Sequence, residues 1–141
     1  MTYNKNIFYE KGSDMMRKLT KKQLEVMKVL WDKNKPMISS EIEKSDPSFN
    51  TNTVQTCLRE LLKKGYIKVA DIVYSGTVLT RSYLPTFTKT EYLKDACNDI
   101  IGNDDGSFSL CVSLIQEQTN ADELSELEKI IEKRKIELNH A

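Results

Sequence analysis

Apolar residues along this chain repeat first at helical spacing, then as short β-rich runs, then at helical spacing again. Leu24, Met27, Leu30 and Trp31 fall three or four apart or adjacent, which lines one side of a helix. Its start is signposted by Thr20 and Gln23, a capping box, with Leu19 and Leu24 at the staple positions. Pro36 lies just beyond and stops it. A second, shorter helix is expected over residues 39–44, turning Ile42 inward and ending at Ser45-Asp46-Pro47. A third is expected over about residues 51–64, with Asn50 or Thr51 as N-cap and Gly65 as terminator.

The spacing then changes. Residues 67–74 and 78–84 are rich in Val, Ile, Leu and Tyr, Ser75-Gly76 between them reads as a hairpin turn, and Pro85 closes the second strand. Three helices followed by a hairpin make the outline of a winged helix-turn-helix domain. The predicted class is therefore mainly α with a small β-hairpin, followed by a C-terminal helical region. In that region Thr88 and Glu91 form a second capping box, opening a helix with Tyr92, Leu93, Ala96, Cys97, Ile100 and Ile101 on its apolar side. Gly102 is expected to end it, and residues 103–106 to form an acidic loop. A short apolar helix over residues 108–115 follows. Asn120 and Glu123 then cap a last helix carrying Leu124, Leu127, Ile131 and Leu138 close to a heptad seam.

The expected organisation is a flexible leader over 1–18, a winged-helix domain over 19–86 and a helical dimerisation domain over 87–141. Met15 is an alternative natural start, because Glu10-Lys11-Gly12-Ser13 can be encoded by a purine-rich run resembling a ribosome-binding sequence. The apolar faces of the last three helices exceed what residues 19–86 can cover, and stripes of that size favour burial in a partner. Tyr92, Leu93, Ile100, Phe108, Leu110, Leu114, Leu124, Leu127 and Ile131 are the candidate contacts with a second copy.

On a helical wheel of about 100° per residue, Val54, Cys57, Leu58 and Leu61 of the third helix share one side. Asn52, Gln55, Thr56, Arg59 and Lys63 share the other, with Glu60 toward the margin. Amide side chains pair with adenine N6 and N7, Thr touches a thymine methyl, and Arg pairs with guanine or a phosphate. Thr51, Asn52, Thr53, Gln55, Thr56 and Arg59 are therefore the candidate base readers of double-stranded DNA. Lys21, Lys22, Lys63, Lys64, Lys68 and Arg81 are the candidate phosphate contacts. Lys21 and Lys22 sit in a first helical turn, where the helix dipole disfavours cations, a placement consistent with a backbone contact on DNA, although any one of these lysines is equally read as a solubilising surface residue.

Composition changes this picture at one point. The formal net charge of the 141 residues is zero, which by itself argues against a polyanionic partner. The sum hides a dipole: residues 1–102 hold 17 Lys+Arg against 12 Asp+Glu, and residues 103–141 hold 4 against 9. A basic front and an acidic tail suit one part facing nucleic acid and the other facing protein or solvent. The longest apolar runs are far short of the roughly 20 residues that cross a bilayer, and no secretory signal opens the chain, so a cytoplasmic protein without membrane insertion is expected. Three widely spaced cysteines with no CxxC pair suit a reducing compartment. One histidine, His140, no phosphate loop and no clustered carboxylates argue against an enzyme, a metal site or a cofactor.

Three segments, LTKKQLEVMKVLWD, NTVQTCLRELLKKGYI and the Tyr83-Leu84-Pro85 ending of the second strand, resemble the penicillinase repressor family, which includes methicillin-resistance and copper-responsive repressors. The resemblance covers about residues 18–138. It implies a homodimeric winged-helix repressor on an inverted-repeat operator, often with TACA/TGTA half-sites, and dimerisation through the C-terminal helices. For the β-lactam branch it implies inactivation by a membrane sensor-protease, with the cut falling by position near Ser113-Leu114, where the family's usual Asn-Phe pair is absent. The Cys-x-Cys motifs of the copper branch are absent as well. Gln55 and Glu60 stand where the family commonly has Arg, and the wing tip is more apolar than is usual. Two other classes share the order of elements: a small-molecule sensor of multidrug-response type, and a winged helix that binds protein. The first usually carries a longer preceding helix, which residues 1–18 do not resemble. The second would be expected to lose the amide-and-hydroxyl face.

Overall fold

The structure is a computed structural model that describes residues 18–101 and 106–140. Helix α1 spans Lys21–Lys33. The Thr20 hydroxyl accepts from the Gln23 N–H and the Gln23 side-chain oxygen accepts from the Thr20 N–H, both at 3.2 Å, so the expected capping box is formed. Asn34 ends the helix in the left-handed region, φ 50°, a conformation Asn tolerates better than most residues. The buried stripe is Gln23, Val26, Met27 and Leu30; Leu24 and Trp31, expected on the inner face, are only half-buried. The stripe is rotated from the expected one because Gln23 and Val26 turn inward. Trp31 stays at the margin, where its indole N–H donates to the Phe87 carbonyl at 2.9 Å.

Strand β1, Met37–Ile38, had no signal in the sequence, being too short to show a period. Helix α2 follows as Ser39–Lys44 and buries Ile42 completely. Helix α3 spans Thr51–Lys64. Of the two candidate N-caps the residue is Asn50, whose side-chain oxygen accepts from the Thr53 N–H at 2.9 Å. Gly65 closes α3 at φ 76°: its N–H bonds the Leu62 carbonyl and the Tyr66 N–H bonds that of Leu61, the paired arrangement of a Schellman cap.

Strands β2, Ile67–Ser75, and β3, Val78–Pro85, pair antiparallel with a bulge between Val69 and Asp71. The turn is Gly76-Thr77 rather than Ser75-Gly76, since Ser75 still pairs with Val78. Gly76, at φ 64°, supplies the positive φ that a two-residue hairpin turn demands. The sheet order is β1-β3-β2, with Met37 opposite Tyr83. One core joins α1, α2, α3 and the sheet: Val26, Met27, Leu30, Met37, Ile42, Phe49, Val54, Leu58, Leu61, Ile67 and Phe87 are all buried.

Helix α4, Lys89–Ile101, opens on the expected second capping box, Thr88 with Glu91. The first compact unit extends to Ala96, ten residues past the boundary expected at 86. Phe87 is 3% exposed, and Tyr92 packs against Trp31 with ring centroids 5.7 Å apart, so the start of α4 belongs to the winged unit. The second unit holds the end of α4, then α5, Gly106–Glu117, and α6, Ala121–Asn139. α5 is longer at both ends than expected and takes in Gly106. Asn120 caps α6, accepting from the N–H groups of Asp122 and Glu123. No residue of α5 or α6 is buried. The leader up to Arg17 and the expected Gly102 stop and 103–105 loop lie outside the described residues.

Candidate nucleic-acid interface

The candidate surface is built on α3. Val54, Cys57, Leu58 and Leu61 are buried, all four as the wheel predicts, and this fixes which side of the helix faces out. Thr51, Asn52, Gln55, Thr56, Arg59 and Lys63 are exposed, while Thr53 is half-buried beside its cap. Two of these side chains are already engaged. The Thr51 hydroxyl donates to Glu43 at 2.6 Å, and the Gln55 amide donates to the Ser39 hydroxyl at 3.1 Å, bracing α3 against α2. The loop between α2 and α3 is tied by the Asp46 carboxylate, which accepts from the Ser48 N–H at 2.8 Å. That bond, with the Ser48 hydroxyl, holds the Asp46 carboxyl below its ordinary range.

Glu60, the one acid on α3, is turned toward α1, where its carboxylate accepts from the Gln23 amide. The candidate phosphate contacts divide. Lys21, Lys63 and Arg81 are exposed, and Lys68 is half-buried. Lys22 pairs with Glu25 at 3.2 Å and lies 6.0 Å above the Phe49 ring. Lys64 donates to the Lys18 carbonyl and to the Gln23 side-chain oxygen, both at 3.2 Å, and lies over Tyr66. Cys57, 5% exposed, backs the reading helix. Desolvation first, and the nearby Glu60 charge second, raise its thiol above the ordinary range, so it is a small hydrophobe there.

In the wing, the register places Ile72 opposite Arg81 and Tyr74 opposite Leu79, so these four share one face. Ile72, Tyr74, Val78 and Leu79 are each more than half exposed. Among the candidate dimer contacts, Leu93, Ile100, Phe108, Leu110, Leu114 and Ile131 are exposed and Leu124 and Leu127 half-buried. Tyr92 instead lies in the aromatic cluster with Trp31 and Phe87. Ile115, Ile130 and Ile136 are exposed apolar residues of α5 and α6 that the heptad reading passed over; helical spacing from Leu127 onward could have found the last two. Ser113 and Leu114 are exposed within α5. Among the described residues no helix is long and apolar enough to cross a membrane, and no group of three or more His, Cys, Asp or Glu is placed to hold a metal ion.

Three helices, a three-stranded antiparallel sheet and an exposed polar face on the third helix define a winged helix-turn-helix protein. The chain belongs to the penicillinase repressor family, whose model matches residues 19–133. That places it among transcriptional repressors, a family of regulators and not of enzymes. The comparison with curated proteins gave no match. Among solved structures, the adhesin competence repressor of Streptococcus pyogenes is 16% identical, with 94% of this chain and 90% of that chain covered and a TM-score of 0.39. MarR of Staphylococcus aureus, in complex with salicylate and kanamycin, is 15% identical, with 96% and 81% covered and a TM-score of 0.40. The heme sensor protein PefR of Streptococcus agalactiae is 19% identical, with 89% and 78% covered and a TM-score of 0.39. At those TM-scores none of the three bears on what this chain binds.

Proposed function

We propose that the chain is a cytoplasmic, sequence-specific repressor that binds an inverted-repeat operator as a homodimer, controlling a β-lactam-resistance or related stress operon. The observation that carries this is the two-sidedness of α3. Four buried apolar residues hold it down, and Asn52, Gln55, Thr56 and Arg59 project from the other side. Such a helix laid in a major groove offers amide, hydroxyl and guanidinium groups to base edges. Thr51 and Thr53 flank them at the helix start, beside the backbone. Lys21, Lys63 and Arg81, all exposed, flank the helix as phosphate contacts, with half-buried Lys68 beside them; Lys22, paired with Glu25, and Lys64, held by Gln23 and the Lys18 carbonyl, contribute less.

One such helix reads only a few bases, which seldom suffices against a genome of competing sites. Pairing two copies doubles the reader about one helical turn apart. The exposed Leu93, Ile100, Phe108, Leu114 and Ile131 supply the apolar surface for that pairing. Cleavage by a membrane sensor-protease near Ser113-Leu114, which stands exposed on α5 but lacks the family's usual Asn-Phe pair, is one route to release of the operator. Footprinting of Arg59→Ala and Gln55→Ala tests the reader: operator protection is expected to vanish while the dimer persists. Footprints unchanged in both variants would refute it.

A further inference from the structure

We propose that Gln23 is a positioning residue for operator discrimination: it sets the orientation of α3 against α1 without touching DNA. This rests on the reading of α3 as the DNA reader. Gln23 is 2% exposed, in a layer otherwise filled by Val26, Met27, Leu30, Val54, Leu58 and Leu61. Its side-chain oxygen accepts from the Thr20 N–H and from the Lys64 ammonium, both at 3.2 Å. Its amide nitrogen donates to the Glu60 carboxylate. The assignment of oxygen and nitrogen is forced by these neighbours, because the two on one side can only donate and the one on the other can only accept.

A leucine would fill this position without desolvating an amide. What it would not do is fix an angle, since apolar contact is non-directional whereas hydrogen bonds are directional. Gln23 ties the N-cap of α1 to two points one turn apart on α3, Glu60 and Lys64. Two anchor points on one helix restrain both its rotation and its slide. Base readers must be held within about 0.5 Å and 10–20° of productive geometry by such supports. The same bonds turn the Glu60 carboxylate toward α1, away from the face that meets phosphates.

The test uses the full chain and a duplex that the unaltered chain enriches from a random-sequence pool, with a shuffled duplex of equal composition as competitor. The readout is the ratio of the two affinities, with the thermal midpoint measured alongside. Gln23→Leu is expected to lower the ratio about tenfold, comparable to spoiling one base contact. The swap Gln23→Glu with Glu60→Gln keeps an amide facing a carboxylate and a carboxylate facing Lys64, and is expected to restore the ratio. A folded Gln23→Leu chain with an unchanged ratio, or a folded swap with no recovery, overturns the proposal. Should Gln23→Leu fold poorly, Glu60→Ala cuts the network from its exposed end; the same fall is expected, and an unchanged ratio there overturns the proposal equally. Arg59→Ala runs in parallel. If it keeps the ratio, the DNA-reading assignment itself fails; if it loses the ratio and Gln23→Leu does not, only the positioning role fails.

Discussion

Lys63 and Lys64 are neighbours in the last turn of α3, and of the two only Lys63 falls on the outward side of the helical wheel. About 100° of rotation separates them, and it leaves Lys63 in solvent while aiming Lys64 at the Lys18 carbonyl and Gln23. Lys63→Ala is therefore expected to flatten the log–log salt dependence of DNA binding by about 0.9. Lys64→Ala should leave that slope nearly unchanged and lower the thermal midpoint instead; equal slopes lost in both would contradict this division. Cys57 makes a second prediction at this scale. Burial raises its thiol, so little thiolate forms near neutrality, and a thiol-specific reagent should label Cys57 only on unfolding. Mass mapping of the native chain checks this. The inward side of α3 was legible because four apolar residues fall on one arc. The roles of Gln23 and Lys64 were not, because both depend on partners about 40 positions away.

Elements were readable where their ends are decided locally. Thr20-Gln23, Thr88-Glu91, Asn50 and Asn120 each cap a helix through bonds within three residues; three stand where the sequence predicts them, and Asn50 is one of the two caps it offers for α3. Strand β1 was not readable, for its two residues become a strand only by pairing with Tyr83 and Ser82. The hairpin turn falls one residue later than its composition suggests for the same reason: pairing of Ser75 with Val78 decides it. At the Gly65 cap a Cβ would meet nothing within 4 Å, so the cost of a side chain there is backbone strain alone. Gly65→Ala should destabilise the fold by about 1 kcal/mol in chemical denaturation, with DNA discrimination retained. A loss of discrimination at unchanged stability would mean the cap does more than end a helix.

On the scale of the molecule, the basic front and acidic tail were visible in the sequence despite the zero net charge. The limit of the winged unit was not, because Phe87 and Tyr92 join it through an aromatic cluster with Trp31 and Tyr66, residues far away in sequence. That cluster carries the first compact unit into α4, while Leu93, Ile100, Phe108, Leu114 and Ile131 stand exposed. A chain ending after Gly102 is expected to fold as a monomer with weak, salt-sensitive DNA affinity. A dimer at micromolar concentration by sedimentation would show that the tail is not the pairing surface.

Amide and side-chain chemical shifts of the full chain, followed as its selected duplex is added, bear most directly on whether α3 meets DNA. Asn52, Gln55, Thr56 and Arg59 should shift together and most strongly, with Lys63 and Arg81 responding at the flanks. If those α3 signals stay in place while the duplex binds through another surface, α3 does not read DNA and the repressor mechanism argued from it is wrong.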